Sequence, residues 1–538
     1  MHRHWAHTRP NVREGSQLAR GRSRVYSAAN RNSIEERTTP MQRGTTMTPT
    51  RLPFIACCAI LTLGTLACSD SSGAAEPADP VSGASTQPMA FVGVHVLTMT
   101  DGNPILEDRT VIIEGGRITD IGPAGTTPVP DEATTIDGAG RWLLPGLAEM
   151  HAHLPGPDTP DERIEDILFL YLANGVTTIR SMQGAPNHPE LREATASGQI
   201  LGPTIFSASP SLSGTSAPDP ETAEGLVRRH AAAGYDLLKL HPGLSPETYD
   251  RIVEVAREEG ITWAGHVSPE VGLERSLQTG KSTIDHLDGY VESSASPEVR
   301  ARAQAGEPVP LSEVVASATP ERIAELAEMT RDAGTWNVPT MYLWENFYND
   351  VPAEELSALP EMRYATPREL EQWTAQKENR VFVELLEGWR TDGAMGADDV
   401  DAETARALID LRREILAALN TADAGLLMGT DSPQMFMVPG FAVHHEIRVM
   451  AQAGVPSSTI LESGSRRVAE YAASELGYDE DFGHVSPGAR ADLILVDANP
   501  LEALGALRDP AGVMVRGHWL AREELQRRLD EISERAGG

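Results

Sequence analysis

Between residues 141 and 431, short apolar segments of β character alternate with stretches of helical periodicity, and no other feature restricts the fold of this chain as tightly. A strand can run parallel to its predecessor only through a crossover long enough to hold a helix, so this alternation predicts parallel βα units. The β-type segments fall at 141–149, 176–181, 204–207, 237–241, 262–267, 283–287, 337–343 and 426–431. Eight of them predict an α/β fold, a (β/α)8 TIM-like barrel. Helical patterns at 221–233 and 246–259 each end at a glycine, Gly234 and Gly260, as helix C-termini prefer.

The flanks have a different character. Residues 89–140 contain AFVGVHVLTM and TVIIEGGRITDIG, with turn residues at Asp101-Gly102-Asn103-Pro104 and Gly115-Gly116, and residues 484–525 contain ADLILV and AGVMVRGHWL. Both read as strands and hairpins. They predict a small β-sandwich domain built from both flanks of a barrel that occupies 141–483. A final helix over 523–535, with 526–538 as its end, carries charge on most faces and reads as solvated.

Residues 1–46 are rich in Arg, Ser, Asn and Thr without apolar period, and read as an extension ahead of a start at Met47. The uncharged run LPFIACCAILTLGTLA at 52–67 is shorter than the ~20 residues of a bilayer span and reads as a signal-peptide apolar region. Its end, Thr65-Leu66-Ala67-Cys68, resembles a bacterial lipobox. Residues 47–68 are therefore expected to be a lipoprotein-type signal with a lipid anchor on Cys68, an ordinary secretory signal or an uncleaved anchor being the alternatives. All three export the body of the protein. Residues 69–88 are small and polar, as a flexible linker should be.

Charge and cysteine content narrow the chemistry. The 78 Asp+Glu against 45 Lys+Arg give a net charge of −33, which repels phosphate backbones and excludes nucleic-acid partners. All three cysteines, Cys57, Cys58 and Cys68, precede the globular part. A metal in the body must therefore be held by histidine and carboxylate. Only three of the 45 basic residues are lysines, at 239, 281 and 377, so a lysine inside a strand stands out.

LLPGLAEMHAHL places His151 and His153 two residues apart, on one face of an extended chain, where both could bind one metal. Met1-His2-Arg3-His4 has the same spacing, so the pair alone says little. Lys239 in LLKLH, His266 in WAGHV, His286 in TIDHL and Asp431 in MGTDS stand at or near the C-terminal ends of later strands, the active face of an α/β barrel. Singly, either histidine reads as a satisfied structural residue, Lys239 as a salt-bridged lysine and Asp431 as a helix cap. Jointly, at strands one, four, five, six and eight, they point to a metal site.

These residues resemble the amidohydrolase superfamily, and within it the branch of imidazolonepropionases and metal-dependent Xaa-Pro dipeptidases. The resemblance covers nearly all of 90–520, including P-G-L-x-x-x-H-x-H, GVTTIRSM, the segment 235–267 and SPGARADLILVDANPL. It implies two divalent ions, zinc by the donor set, with His151, His153 and Asp431 on the buried ion and His266 and His286 on the exposed one. An N-carboxylated Lys239 would bridge both. The implied reaction is hydrolysis of a C–N bond, in an amide, cyclic amide or dipeptide-like substrate, by a hydroxide bridging the metals, with Asp431 passing the proton to the leaving nitrogen. A mononuclear deaminase or an esterase or lactonase on the same barrel is the alternative enzyme, and a non-catalytic binding lipoprotein the alternative class. Where relatives carry Arg-Asp after the second strand, this chain has Arg180-Ser181, so a carboxylate supporting the ligands is expected to be missing.

The stretch 345–425 far exceeds the usual ~2–6 residue loop. With the adjoining strand it holds Trp336, Trp344, Trp373 and Trp389, four of the eight tryptophans. It reads as a lid giving an aromatic wall to the pocket, or equally as helices that bury their own aromatics or form a dimer contact. His444 in FAVHHEIRVM matches a position where relatives have a histidine beside the substrate, and Tyr342, at the end of the seventh strand, is a candidate donor to the substrate carbonyl. The expected partner is a small molecule or short peptide; membrane contact is expected only through Cys68, and a homo-oligomer is compatible with the sequence.

Overall fold

The computed structural model describes residues 83–379 and 400–537. The expectations for 1–46, 47–68 and most of 69–88, and for Trp389, lie outside these residues. No helix among the described residues is long and apolar enough to cross a membrane.

Strands β1 (Met89–Leu97), β2 (Ile105–Glu114), β3 (Arg117–Pro123), β4 (Thr134–Asp137) and β5 (Trp142–Pro145) open the chain, and β13 (Leu493–Val496), β14 (Gly512–Val515) and β15 (His518–Ala521) close it. Both groups share one eight-stranded sheet in the order β15-β14-β13-β5-β1-β2-β3, with β4 also paired to β1. The joint is the antiparallel pairing of β13 with β5, Leu493 opposite Pro145 through Val496 opposite Trp142. Phe91, Val94 and Val96 from one flank and Leu493, Leu495 and Met514 from the other fill its core. The β2–β3 hairpin turns on Gly115 and Gly116, with φ of +58° and +78°, a two-residue turn that needs left-handed backbone at both positions.

Seven parallel strands follow: β6 (Leu147–Ala152), β7 (Val176–Ser181) and β8 (Thr204–Ser207) form one sheet, and β9 (Leu237–Leu240), β10 (Thr262–Gly265), β11 (Thr283–Asp285) and β12 (Trp336–Val338) form another. Single parallel bridges, Ala208 to Leu237 and Leu212 to Leu240, link β8 to β9. The expected eighth strand, 426–431, is not a regular strand. It pairs instead through isolated bridges, Asn337 to Leu426 on one side and Ala152 to Ser432 on the other.

The expected first strand, 141–149, is two strands. Gly146 divides them: a Cβ there would lie 2.1 Å from Thr177 Oγ1, so the chain passes β7 closely at this point. Residues 142–145 consequently pair in the flanking sheet, while 147–152 pair with β7. The seventh strand is also shorter than expected. It ends at Val338, and the helix Met341–Tyr348 takes up Tyr342.

The helices between strands share a local signature. Asp219-Pro220-Glu221, Ser245-Pro246-Glu247, Ser296-Pro297-Glu298 and Thr319-Pro320-Glu321 each start a helix with a capping side chain that accepts a backbone N–H of the first turn, followed by proline at the first helical position. The inserted stretch is packed rather than draped: Leu356, Met362, Tyr364 and Trp373 join Phe169, Leu170 and Phe436 in a single apolar cluster. The last helix, Arg522–Ala536, enters that cluster too, which corrects its reading as solvated. Leu525, Ile532 and Ala536 lie on one side of it, spaced seven and four apart, and Arg535 pairs with Asp166.

Candidate metal centre

One pocket is lined by His151, His153, Lys239, His266, His286 and Asp431 together. All six residues singled out as ligands therefore converge. His151 and Lys239 sit in β6 and β9; His266 and His286 stand one residue past the ends of β10 and β11. Donor atoms of His151, His286 and Asp431 lie within 4.8 Å of one another.

Asp431 is the hub. Its Oδ1 is 2.9 Å from His153 Nε2 and 3.4 Å from His151 Nε2, and its Oδ2 is 3.7 Å from His286 Nδ1. Lys239 Nζ, almost fully buried, lies 3.2 Å from the same His151 Nε2. Nε2 of His286 is buried without a hydrogen-bond partner among the described residues. An orphaned imidazole nitrogen next to a carboxylate and two further imidazoles suits a divalent cation.

The backbone is strained where these groups converge. His286, Thr340 and Asp431 have φ of +63°, +45° and +72°, and Leu287 of +54°. Left-handed backbone costs a non-glycine residue about 1–3 kcal/mol, so it persists only where its surroundings over-determine it. Here the His286 amide donates to the Val338 carbonyl and the Asp431 amide to the His151 carbonyl, while Thr340 Oγ1 is 2.9 Å from His286 Nδ1.

Behind these ligand-type residues stand carboxylates that the sequence reading missed. Asp285 Oδ2 is 2.9 Å from His151 Nδ1, and Asp288 Oδ2 is 2.8 Å from His266 Nδ1. Arg180, fully buried, reaches both oxygens of Asp285 at 3.3 Å and also donates to the Met150 carbonyl and the Tyr471 hydroxyl. The supporting carboxylate expected to be missing, because Ser181 follows Arg180, is thus present after all, supplied by Asp285 of β11. In TIDHLD the two acids flank His286, which is the signal that could have found them. His241 also lines the pocket, its ring centroid 4.5 Å from that of His266. Lys239-Leu240-His241 repeats the same-face spacing of His151 and His153, and that was its signal.

Burial governs the charges. Desolvation, with Lys239 and neighbouring imidazoles, holds His151, His266 and His286 well below the usual histidine pKa, in the neutral form that ligates metal. Desolvation also raises Asp288 to about 7, against the opposing charge of Arg412. For Asp285 desolvation is outweighed by Arg180, Lys239 and His286, which keep its carboxyl below the ordinary value. Lys281, buried with Nζ donating to the His266 carbonyl, is lowered to about 7 by desolvation.

Other expected residues fall elsewhere. Among the inserted aromatics and their neighbours, Trp344 lines the pocket, but Trp336 packs edge-on to Tyr471 and Trp373 edge-on to Phe436. Tyr342 is buried and stacked on His445, with ring centroids 4.5 Å apart. His444 lines a separate cleft with Ile447, Arg448, Leu504 and Arg508. It is not among the residues that line the metal-type pocket.

The sequence profile of the amidohydrolase family matches residues 142–520. An enamidase from Eubacterium barkeri is 34% identical over 104 residues, 19% of this chain and 27% of that protein. An imidazolonepropionase from Stenotrophomonas maltophilia (strain R551-3) is 32% identical over 101 residues, 17% of this chain and 25% of that protein. The matched part thus spans about a quarter of these relatives. The crystal structure of a putative prolidase from Bifidobacterium longum superposes with a TM-score of 0.57 at 23% identity, covering 84% of this chain and all of that one. These likenesses carry the TIM-barrel fold.

Proposed function

This chain belongs to the amidohydrolase family, and from that premise we propose that it is a metal-dependent hydrolase of a C–N bond in an amide, cyclic amide or dipeptide-like substrate. The observation that carries this reading is the convergence of six ligand-type side chains, from widely separated strand ends, on one pocket. In the proposal the eight parallel segments close into a (β/α)8 barrel over 147–483, a closure supported by the bridges on both sides of 426–431. The sheet of both flanks forms the second domain.

His151, His153 and Asp431 would hold one divalent ion and His266 and His286 a second, with Lys239 between them as a carbamate; zinc suits four neutral imidazoles and oxygen anions without sulfur. When bound, such ions supply Lewis acidity that polarises the scissile carbonyl and makes a water nucleophilic near neutral pH. The protein's own part is separate from this. Asp288 accepts from Nδ1 of His266, and Asp285, 2.9 Å from Nδ1 of His151, favours a proton on that nitrogen, so that each Nε2 would be available to a metal. Asp431, touching three of the imidazoles, is placed to take a proton at a carboxylate oxygen and return it to the leaving nitrogen. Trp344 and Leu343 wall the pocket against water on one side, while Gln183, Ser211 and Gln434 offer hydrogen bonds to a polar substrate.

Elemental analysis of the protein prepared with zinc and bicarbonate, followed by an assay on N-acyl amino acids, dipeptides and cyclic amides, tests the reading. Two metals per chain and metal-dependent release of an amine support it. One metal per chain turns the reading to a mononuclear deaminase, and metal-dependent turnover of esters or lactones alone turns it to the other alternative. A chain that binds no metal ends the enzymatic reading. Export with a lipid on Cys68 is part of the proposal, supported by the run 52–67; labelling with a radioactive fatty acid that survives unchanged in Cys68→Ala would remove it.

A further inference from the structure

Arg412 is among the least expected groups near the site. It belongs to the helix Ala402–Thr421, inside the long insertion, yet its side chain is 6% exposed. Its Nη1 donates to the backbone carbonyl of His286 at 2.6 Å. The guanidinium lies 3.9 Å over the ring of Trp344, which lines the metal-type pocket. Its charge also acts on Asp288, the carboxylate that holds His266.

Three features make this more than an ordinary buried arginine. The left-handed backbone at His286 turns its carbonyl toward the inserted helix, and a buried carbonyl left without a donor is costly. A planar guanidinium can donate in its plane to that carbonyl while its face covers an indole, two geometries that an ammonium cannot combine. Arginine buried this deeply, with Nε lacking a hydrogen-bond partner among the described residues, is poorly compensated as a stability element. Its contacts are instead directed at the pocket: one ligand-type residue's carbonyl and one wall ring.

We propose that Arg412 is a positioning residue of the metal centre, through which the inserted helix fixes the orientation of His286 and of the Trp344 wall. The proposal rests on the reading of His286 as a metal ligand. It assigns the insertion a role behind the pocket, as a brace for the ligands, in addition to any part it plays over the mouth.

Cobalt titration of the full chain, followed by the visible d–d absorption of the bound ion, tests this without a substrate. Wild type, Arg412→Ala, Arg412→Lys and, as a control on the exposed face of the same helix, Arg406→Ala are compared, with circular dichroism to establish folding. Arg412→Ala is expected to weaken at least one bound equivalent by ~10-fold or more and to change the d–d band, as loss of supporting contacts does at other metal sites. Arg412→Lys should recover part of the affinity, and Arg406→Ala should match wild type. A folded Arg412→Ala variant with wild-type affinity and spectrum overturns the proposal. If that variant does not fold, Arg412→Lys decides, and a wild-type spectrum and affinity there overturns it equally. A wild-type chain that takes up no cobalt overturns the metal-site reading and the proposal with it, an outcome distinct from uptake unaltered by substitution.

Discussion

Asp285 and His151, on strands that are not neighbours, meet with Oδ2 2.9 Å from Nδ1, both side chains fully buried. The nearby carboxylate favours the tautomer that carries its proton on Nδ1, and Nε2 is left facing Asp431 and Lys239. Arg180, on the far side of Asp285, keeps the carboxylate charged. Asp285→Asn should therefore weaken metal binding by ~10–100-fold while His151 itself is retained. Competition of the variant against a zinc chelator of known affinity measures it, and an unchanged constant would show that His151 does not depend on this partner.

Lys239 is buried within reach of His151 Nε2. Under the carbamate reading, Lys239→Ala removes the group shared by two ions. The metal content should fall from two per chain to one or none, and added short carboxylic acids, which can occupy the vacated space as a surrogate bridge, should restore part of it. Identical content in wild type and variant, measured by elemental analysis, would exclude a bridging lysine.

The ligand-type residues were legible in the sequence because each sits at or just past the end of a β-type segment, a regular strand for all but Asp431, where local pattern places a side chain on the candidate active face. Their supports were not. Asp285, Asp288, Arg180 and Arg412 act across β7, β11 and an inserted helix, and nothing in local periodicity says which strand lies opposite which. The fold divided in the same way. Helix starts such as Ser245-Pro246-Glu247 are local and were found within a residue, whereas the break at Gly146 depends on Thr177 of a neighbouring strand. His444 was singled out only by its match to a position in relatives, which says nothing of the pocket that its helix face meets in this chain. Here His444 lines the separate cleft, and its neighbour His445 stacks on Tyr342 and pairs with Glu361.

The insertion's aromatics separate into two kinds. Trp373 is 3% exposed in a cluster with Phe169, Leu170 and Phe436, and does not line the metal-type pocket. Trp373→Ala should cost ~3–5 kcal/mol of stability, as large-to-small changes in a packed core do, and leave cobalt affinity alone. By the same packing, deleting 350–400 should destabilise the whole molecule rather than merely uncover the pocket. Urea unfolding midpoints check the first expectation, and a Trp373→Ala variant as stable as wild type would show that this part of the insertion is not core.

Glu446 supplies the clearest pH dependence away from the metal ligands. From the helix Phe441–Gln452 its two carboxylate oxygens accept the amides of Met341 and Tyr342, at 2.9 and 2.7 Å, and so cap the start of the helix Met341–Tyr348, whose own Thr340 makes no capping bond. Full burial raises its pKa from 4.5 to about 8, the amides opposing and the carboxylates of Glu149 and Glu345 adding to the shift. Because the folded value lies above the unfolded one, the contribution to stability is complete below pH ~4.5 and is lost as pH rises towards ~8, at no more than ~1.4 kcal/mol per pH unit for one proton. Glu149 and Asp288, raised to about 7, titrate in the same window but are common to wild type and variant. The difference between wild type and Glu446→Gln therefore reports Glu446 together with its coupling to Glu149. Wild type should be the more stable at pH 5, since a glutamine amide cannot accept from both backbone donors, and its margin should shrink steadily by pH 9. Unfolding midpoints at pH 5, 7 and 9, taken on chelator-treated protein so that metal loss does not intrude, measure that margin. A margin constant across the range would mean that Glu446 stays ionised in the folded protein and that the two amides outweigh its burial.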